Sequence, residues 1–97
     1  MGKYTDIGLQ KLLHTPLQDI LAHFGKDNRP RRKNMYFSPF REERTPSFNI
    51  KPDANIWFDF GTGEGGGAID LVCNLAGCTR KESLDILSVI NGQYPPI

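Results

Sequence analysis

Residues 36–67 read YFSPFREERTPSFNIKPDANIWFDFGTGEGGG, and this segment contains the strongest indications of the fold. Residues 35–38, 47–51 and 56–60 are short segments rich in aromatic and β-favouring side chains, and each is bounded by proline, asparagine or glycine. Such segments are typical of short strands joined by tight turns. The sequence therefore predicts a small three-stranded antiparallel sheet in the middle of the chain.

Two helices are predicted before this sheet. Asp6 is the expected N-cap of the first helix, and Thr15 is expected to cap the second, with Pro16 at its first helical position. Gly25 stands where a glycine would end the second helix. The apolar stripe of that helix consists of Leu17, Ile20, Leu21 and Phe24. This spacing indicates an amphipathic helix packed against a core.

Two further helices are predicted after the sheet. Residues 68–76 are mostly apolar and are followed by Gly77, a typical helix terminator. Thr79 and Glu82 have the spacing of a capping box, which begins a last helix that ends at Gly92. The predicted fold class is therefore α+β, with a small antiparallel sheet flanked by N-terminal and C-terminal helices.

The overall composition limits the kind of protein this is. A chain of 97 residues suits one compact domain, so residues 1–97 are interpreted as a single domain with its core at about 17–90. A net charge of +1 is no bulk signature of nucleic-acid binding, so any such site must arise from local clustering. There is no apolar run long enough to span a bilayer and no secretory signal. We therefore expect a cytoplasmic protein without a membrane partner.

The central stretch resembles the zinc ribbon of bacterial DnaG-type DNA primases. In that family a Cys-Pro-Phe-His turn, a Thr-Pro-Ser-Phe segment and a Cys-Phe-Gly-Cys-Gly turn followed by a helix hold one zinc ion. The corresponding runs here are SPFR, RTPSF, DFGTG and GGGAIDLV. The resemblance covers residues 17–90 and implies a zinc-ribbon-like fold.

All four positions that carry zinc ligands in the family differ in this chain. They are Ser38, Arg41, Asp59 and Thr62. Structural zinc needs four sulfur or nitrogen donors, and an arginine is a permanent cation without a free acceptor. We therefore expect no zinc and no other cofactor. An ion pair between Arg41 and Asp59, with the hydroxyls of Ser38 and Thr62 nearby and with aromatic packing, is the hypothesis for what replaces it.

The resemblance also implies a role in engaging single-stranded template DNA, because the family's domain helps the primase to do so. Single strands are held by phosphate contacts and by base stacking on aromatic rings. The basic residues after the second helix and along the sheet are candidates for phosphate contact. Two aromatic residues are candidates for base stacking. The candidate DNA-binding residues are Arg29, Arg31, Arg32, Lys33, Tyr36, Arg44, Lys51 and Trp57.

Other functions have weaker support in the sequence. Residues 61–66 fit the G-x-G-x-x-G pattern of dinucleotide-binding proteins, but a helix rather than a strand is predicted after the next helix. No catalytic constellation is recognisable, so the chain alone is not expected to be an enzyme; nucleotidyl transfer in the family belongs to a separate domain. The alternative is an adaptor that docks a primase catalytic domain or a helicase in a replication protein of a phage or another mobile genetic element, without touching DNA.

Overall fold

The computed structural model describes residues 5–92 and has an α+β fold. A four-stranded antiparallel sheet lies between two pairs of helices in the chain, as the sequence predicts, although with one strand more than expected. In chain order the elements are α1 (Asp6–Leu13), α2 (Leu17–His23), β1 (Met35–Tyr36), β2 (Phe48–Lys51), β3 (Ile56–Asp59), β4 (Glu64–Gly66), α3 (Ala68–Ala76) and α4 (Arg80–Ile90). None of these helices is long and apolar enough to cross a membrane.

The sheet has the simple order β1-β2-β3-β4, with every neighbouring pair antiparallel. Phe48 pairs with Asp59 and Ile50 with Trp57, so these four residues point to one face of the sheet. The strand that the sequence did not reveal is β4, which pairs Gly65 with Phe58. It was missed because it reads Glu-Gly-Gly, and strand propensity depends on bulky side chains that pack on a pleated surface.

The N-terminal caps differ from the prediction. Thr5, not Asp6, caps α1, because the Thr5 hydroxyl accepts a hydrogen bond from the Gly8 N–H at 3.0 Å. Thr15 does not cap α2 either. Its buried hydroxyl donates backwards to the Leu12 carbonyl at 2.6 Å, and Pro16 is the N-cap without a side-chain bond.

The C-terminal helices follow the prediction closely. Gly77 adopts the left-handed conformation at the end of α3, with φ of 66°. The predicted capping box at α4 is present, since the Glu82 N–H donates to the Thr79 hydroxyl at 3.1 Å and the Thr79 N–H donates to the Glu82 carboxylate at 3.0 Å. At α3 the Asp70 carboxylate accepts from the Gly67 N–H at 3.1 Å. Both helices therefore begin with an acidic side chain on their exposed backbone donors.

One hydrophobic core joins the helices to one face of the sheet. At the sheet, the rings of Phe48 and Trp57 stack with centroids 5.3 Å apart, and Phe40 meets both rings at 5.9 and 5.5 Å. The Trp57 indole N–H donates to the Gly67 carbonyl at 3.0 Å. The buried apolar residues are Leu12, Leu17, Ile20, Leu21, Tyr36, Phe48, Ile50, Trp57, Ala68, Leu71, Val72 and Leu87.

Thr15 links distant parts of the chain at the junction of α1 and α2. The Asn91 amide donates to the Thr15 hydroxyl at 2.5 Å, across 76 residues of sequence. The Asn55 amide donates to the Thr15 carbonyl at 2.7 Å, across 40 residues. The turn between β2 and β3 and the end of α4 are thereby both tied to the N-terminal helices.

Candidate functional site

The predicted ion pair between Arg41 and Asp59 is present and is the centre of a polar cluster. The guanidinium donates to both oxygens of the Asp59 carboxylate, at 2.9 and 2.8 Å. The Ser38 hydroxyl donates to the same carboxylate at 3.0 Å. Asp59 is fully buried, whereas the Arg41 side chain is 32% exposed. Planar, two-pronged contact of this kind is the geometry that arginine offers to carboxylates.

Two similar turns bring these side chains together. In the first, the Ser38 hydroxyl accepts from the Phe40 N–H two residues ahead, at 3.2 Å. In the second, one oxygen of Asp59 accepts from the Gly61 N–H, also two residues ahead, at 2.8 Å, and from the Thr62 N–H at 3.3 Å. Each turn therefore folds its backbone around a side-chain oxygen, and Arg41 spans the space between the turns.

The sequence did not reveal two further members of the cluster, Glu43 and Ser47. The Glu43 carboxylate accepts from the Arg41 guanidinium at 3.1 Å and from the Ser38 N–H at 2.6 Å. The Ser47 hydroxyl accepts from Arg41 at 2.8 Å and donates to Glu43 at 2.5 Å. Conversely, the Thr62 hydroxyl stays outside the cluster and accepts from the Glu64 N–H at 3.3 Å. Nothing in the spacing of the sequence pointed to Glu43, because acidic residues in turns are common and mostly solvated.

The cluster keeps its carboxylates charged. Burial raises the pKa of Asp59, but hydrogen bonds from Arg41, Ser38 and the Gly61 N–H outweigh it, so this pKa lies below its usual range. Burial also raises the pKa of Glu43, and bonds from Ser47, the Ser38 N–H and Arg41 again leave it lowered. The hydrogen bond to Asp59 raises the pKa of Arg41. All three groups are therefore ionised at neutral pH.

The residues at the four ligand positions do not fit a zinc ion. Arg41 carries a permanent positive charge at one of the four positions, and both Asp59 oxygens already accept hydrogen bonds. Ser38 supplies a neutral hydroxyl, and the Thr62 hydroxyl is turned towards Glu64. Among residues 5–92 no group of three or more histidine, cysteine, aspartate or glutamate side chains is placed to hold a metal. The donor set is therefore that of an ion pair and not of a zinc site.

The basic residues after α2 fall into two classes. Arg29 and Arg31 both pair with Asp27, and the Arg31 guanidinium also lies 4.8 Å above the Phe37 ring. Arg32 and Lys33 are exposed and make no ion pair within the described part of the chain. Of the four predicted cations in this loop, these two are exposed without an ion pair, whereas Arg29 is paired although its side chain is 75% exposed.

Tyr36 and Trp57 are not stacking platforms, contrary to the prediction. Each residue is only 3% exposed, because both are part of the hydrophobic core. The Tyr36 hydroxyl accepts a hydrogen bond from the Gln18 amide at 2.9 Å, which fixes it further. A base needs an open ring face of nearly its own area, and neither ring offers one.

The exposed face of the sheet carries different aromatic residues. Phe58 is 40% and Phe60 65% exposed, and their rings meet edge to face with centroids 4.9 Å apart. Ile56, 42% exposed, extends the same face. The alternation in residues 56–60 could have identified this surface, since Trp57 and Asp59 point inward and their neighbours must point outward.

This exposed face forms a shallow groove, of about 480 Å³. The strand register places Met35, Asn49, Phe58 and Gly65 in one row across the four strands. Lys51, a predicted DNA-binding residue, lines the groove and is exposed. The lining residues are Asn49, Lys51, Ile56, Phe58, Phe60, Gly65 and Gly66, together with Trp57, whose ring packs in the core on the other face. We call this surface the outer face.

The glycine cluster does not form a dinucleotide site. Residues 64–66 form β4, which is antiparallel to β3, and no parallel strand pair occurs within residues 5–92. The N–H of Gly67, the N-cap of α3, already donates to the Asp70 carboxylate. Gly65 instead lets strand β4 lie close to its neighbour, because a side chain there would meet the Trp57 carbonyl at 2.8 Å and the Phe58 ring at 3.0 Å.

Comparison with known proteins identifies the family. The profile of the CHC2 zinc finger matches residues 9–94. The DNA primase of Halalkalibacterium halodurans is 30% identical over 70 residues, which are 72% of this chain and 12% of that primase. The DNA primase of Geobacillus stearothermophilus is 32% identical over 74 residues, or 76% of this chain and 12% of the primase. The DNA primase of Pseudomonas putida is 47% identical over 58 residues, or 60% and 9%.

The similarity is thus confined to a small part of each relative, between 9 and 12% of its length. It nevertheless covers most of this chain and includes both turns of the polar cluster. The chain therefore belongs to the CHC2 zinc-finger family of DnaG-type DNA primases.

Proposed function

We propose that this chain is a non-catalytic DNA-binding module of a DnaG-like replication protein, and that it engages single-stranded template DNA in the cytoplasm. The single observation that carries the proposal is the outer face, where two exposed phenylalanines lie on a sheet whose other face is closed by the core. Stacking of bases on such rings contributes about 1–3 kcal/mol per base. The family relationship supports DNA as the ligand.

The positive charges near the outer face support the same function. Lys51 lines the groove itself. Arg32 and Lys33 belong to the turn that leads into β1, where the Arg31 and Arg32 N–H groups donate to the Met35 carbonyl at 2.8 and 3.4 Å. Met35 is the β1 end of the row that contains Phe58. A strand stacked on Phe58 and Phe60 would therefore have phosphate-binding cations available along the sheet.

The remaining predicted cations have smaller parts in this proposal. Arg29 and Arg31 share the carboxylate of Asp27, which reduces the charge they offer to a phosphate. Arg44 is exposed but lies beside Glu42 and Glu43. We assign these three residues to the electrostatic surroundings of the DNA and the pair Arg32 and Lys33 to direct phosphate contact.

An adaptor function is the second candidate, and the apolar character of the outer face favours it. Ile56, Phe58 and Phe60 would suit an apolar surface of a primase catalytic domain or a helicase as well as they suit bases. The salt dependence of binding distinguishes the DNA-binding function from the adaptor function. Binding to phosphates weakens steeply as salt rises, whereas apolar docking does not.

The test is fluorescence anisotropy with an end-labelled single strand of about 12 nucleotides, a length within the range that small single-strand-binding folds cover. We expect saturable binding at about 50 mM salt that weakens strongly at about 200 mM. The double variant Phe58→Ala/Phe60→Ala should weaken binding by about 30-fold or more, since stacking on each of the two rings contributes about 1–3 kcal/mol.

Val89→Ala is the matched control, because Val89 is a 54% exposed apolar residue on α4, outside the sheet. It should bind like the wild type. If wild-type protein with native circular dichroism does not bind the strand at low salt, the DNA-binding function is wrong and the adaptor function takes its place.

A further inference from the structure

The two turns of the polar cluster are connected by side chains, and Arg41 makes most of the contacts between them. Arg41 and Ser38 belong to the first turn and reach Asp59 in the second, across 18 and 21 residues of sequence. A metal ion with ligands from both turns would make the same connection. We infer that the Arg41 guanidinium takes the structural place of the metal, so that this member of the family folds without bound zinc.

The acceptor groups around Arg41 are arranged as they would be around a metal cation. The guanidinium donates to two carboxylates and one hydroxyl, those of Asp59, Glu43 and Ser47, at 2.8–3.1 Å. Asp59 is completely buried and the Glu43 side chain only 9% exposed. Two buried carboxylates without a cation would repel each other and lose their hydration, so the cluster requires Arg41 as a zinc site requires its metal.

Backbone N–H groups also stabilise the negative charges of the two carboxylates. The N–H groups of Gly61 and Thr62 point at Asp59, and that of Ser38 points at Glu43. Within residues 5–92 every buried side-chain nitrogen or oxygen has a hydrogen-bond partner. The cluster is therefore complete as it stands, without an atom that remains to be coordinated.

The Arg41 guanidinium also lies directly beside Gly61. A Cβ atom built on Gly61 would overlap the Arg41 guanidinium and lie 3.1 Å from the Asp59 carboxylate. A side chain at this position would therefore have to displace the guanidinium from its pair with Asp59. The second turn and the Arg41 side chain are packed directly against each other.

The experiment compares untagged wild-type protein with two kinds of variant. Purified from zinc-supplemented medium, wild-type protein should contain far less than one zinc per chain by elemental analysis, and a chelator should leave its Tm unchanged. A four-ligand variant with Ser38→Cys, Arg41→His, Asp59→Cys and Thr62→Cys should bind one zinc per chain, and the chelator should lower its Tm. One tightly held zinc in the wild type, or a chelator-sensitive Tm, overturns the inference.

A single substitution keeps the inference testable if the four-ligand variant does not fold. Arg41→Gln leaves Asp59 buried without its cation and should lower the Tm by roughly 10 °C or more. Arg80→Gln is the control, because Arg80 makes an equally short pair with Asp70, at 2.8 Å, with side chains 69% and 39% exposed. It should lower the Tm by less than about 5 °C. Equal effects of the two substitutions would show that the Arg41 cluster does not hold the fold together. A folded four-ligand variant that binds no zinc would likewise contradict the inference.

Discussion

The two faces of the small sheet use the same kind of side chain for opposite purposes. On the inner face, Phe48 and Trp57 stack on each other and join the helices in one core. On the outer face, Phe58 and Phe60 make an equally close ring contact, at 4.9 Å, but remain 40% and 65% exposed. Successive side chains of strand β3 point alternately to the inner and the outer face. A close contact between two rings therefore does not by itself distinguish a core residue from a surface residue.

The largest expected effect is that of removing the inner-face tryptophan. Trp57→Ala should lower the free energy of unfolding by about 3–5 kcal/mol, because it empties a buried volume and leaves the Gly67 carbonyl without its indole donor. Urea denaturation at neutral pH measures this directly. Phe58→Ala, one residue along the same strand, is the matched comparison and should cost less than about 1 kcal/mol. Equal losses would mean that the two faces do not differ as described.

A smaller loss of stability is expected at acid pH. It concerns Asp59, which lies at the end of the inner face. The pKa values of Asp59 and Glu43 are lower in the folded protein than in the unfolded chain, so the unfolded chain binds more protons in acid. The stabilisation is therefore complete above the unfolded pKa values, about 3.9 and 4.3, and is lost as the pH falls through the lower folded values. Arg41 faces both groups and stays charged throughout.

Urea midpoints between about pH 6 and about pH 2 test this expectation, since they should decrease steadily once the pH is below the ordinary carboxylate range. The double variant Glu43→Gln/Asp59→Asn should be less stable at neutral pH and show a flatter acid dependence. Glu82→Gln, which removes an exposed capping carboxylate whose pKa is also lowered, by the Thr79 N–H, should retain most of the wild-type slope. A wild-type midpoint that is constant down to about pH 3 would contradict the expectation.

The smallest expected effect concerns the charge beside the outer face. Lys51→Gln should leave stability unchanged, because the side chain is exposed, and should reduce the slope of log affinity for single-stranded DNA against log salt by about 1. Anisotropy titrations at several salt concentrations give this slope. Lys81→Gln, on the exposed side of α4, should keep the wild-type slope. Identical slopes for all three proteins would remove Lys51 from the proposed interface.

Much of the fold could be predicted from local patterns. The strands β2 and β3, the amphipathic helix α2 and the capping box of Thr79 and Glu82 depend on neighbouring residues only, and all are present. The predicted caps at Asp6 and Thr15 were wrong. Asp6 lies next to Thr5, which competes for the same capping position, and the Thr15 hydroxyl donates instead to the Leu12 carbonyl. Strand β4 depends on its partner β3 and not on its own residues.

The site was predictable to a different degree on each side of the sheet. The pair of Arg41 and Asp59 followed from the family spacing, and the structure contains it. The assignment of Tyr36 and Trp57 to the surface was wrong because sequence alone does not decide which aromatic residues the helices cover. Phe58 and Phe60 were present in the same segment and were not chosen. The role of Glu43 could not be predicted, because it depends on the turn that places its carboxylate against the Ser38 N–H.

The contact between Asn91 and Thr15 has a consequence for the order in which the chain acquires its structure during synthesis. The hairpins of the sheet pair residues close in sequence and can form as soon as they leave the ribosome. The Thr15 hydroxyl receives a donor from Asn91, 76 positions later. Until α4 and Asn91 emerge, the N-terminal helices lack part of the surface they dock against, so the helical layer is expected to close after the sheet.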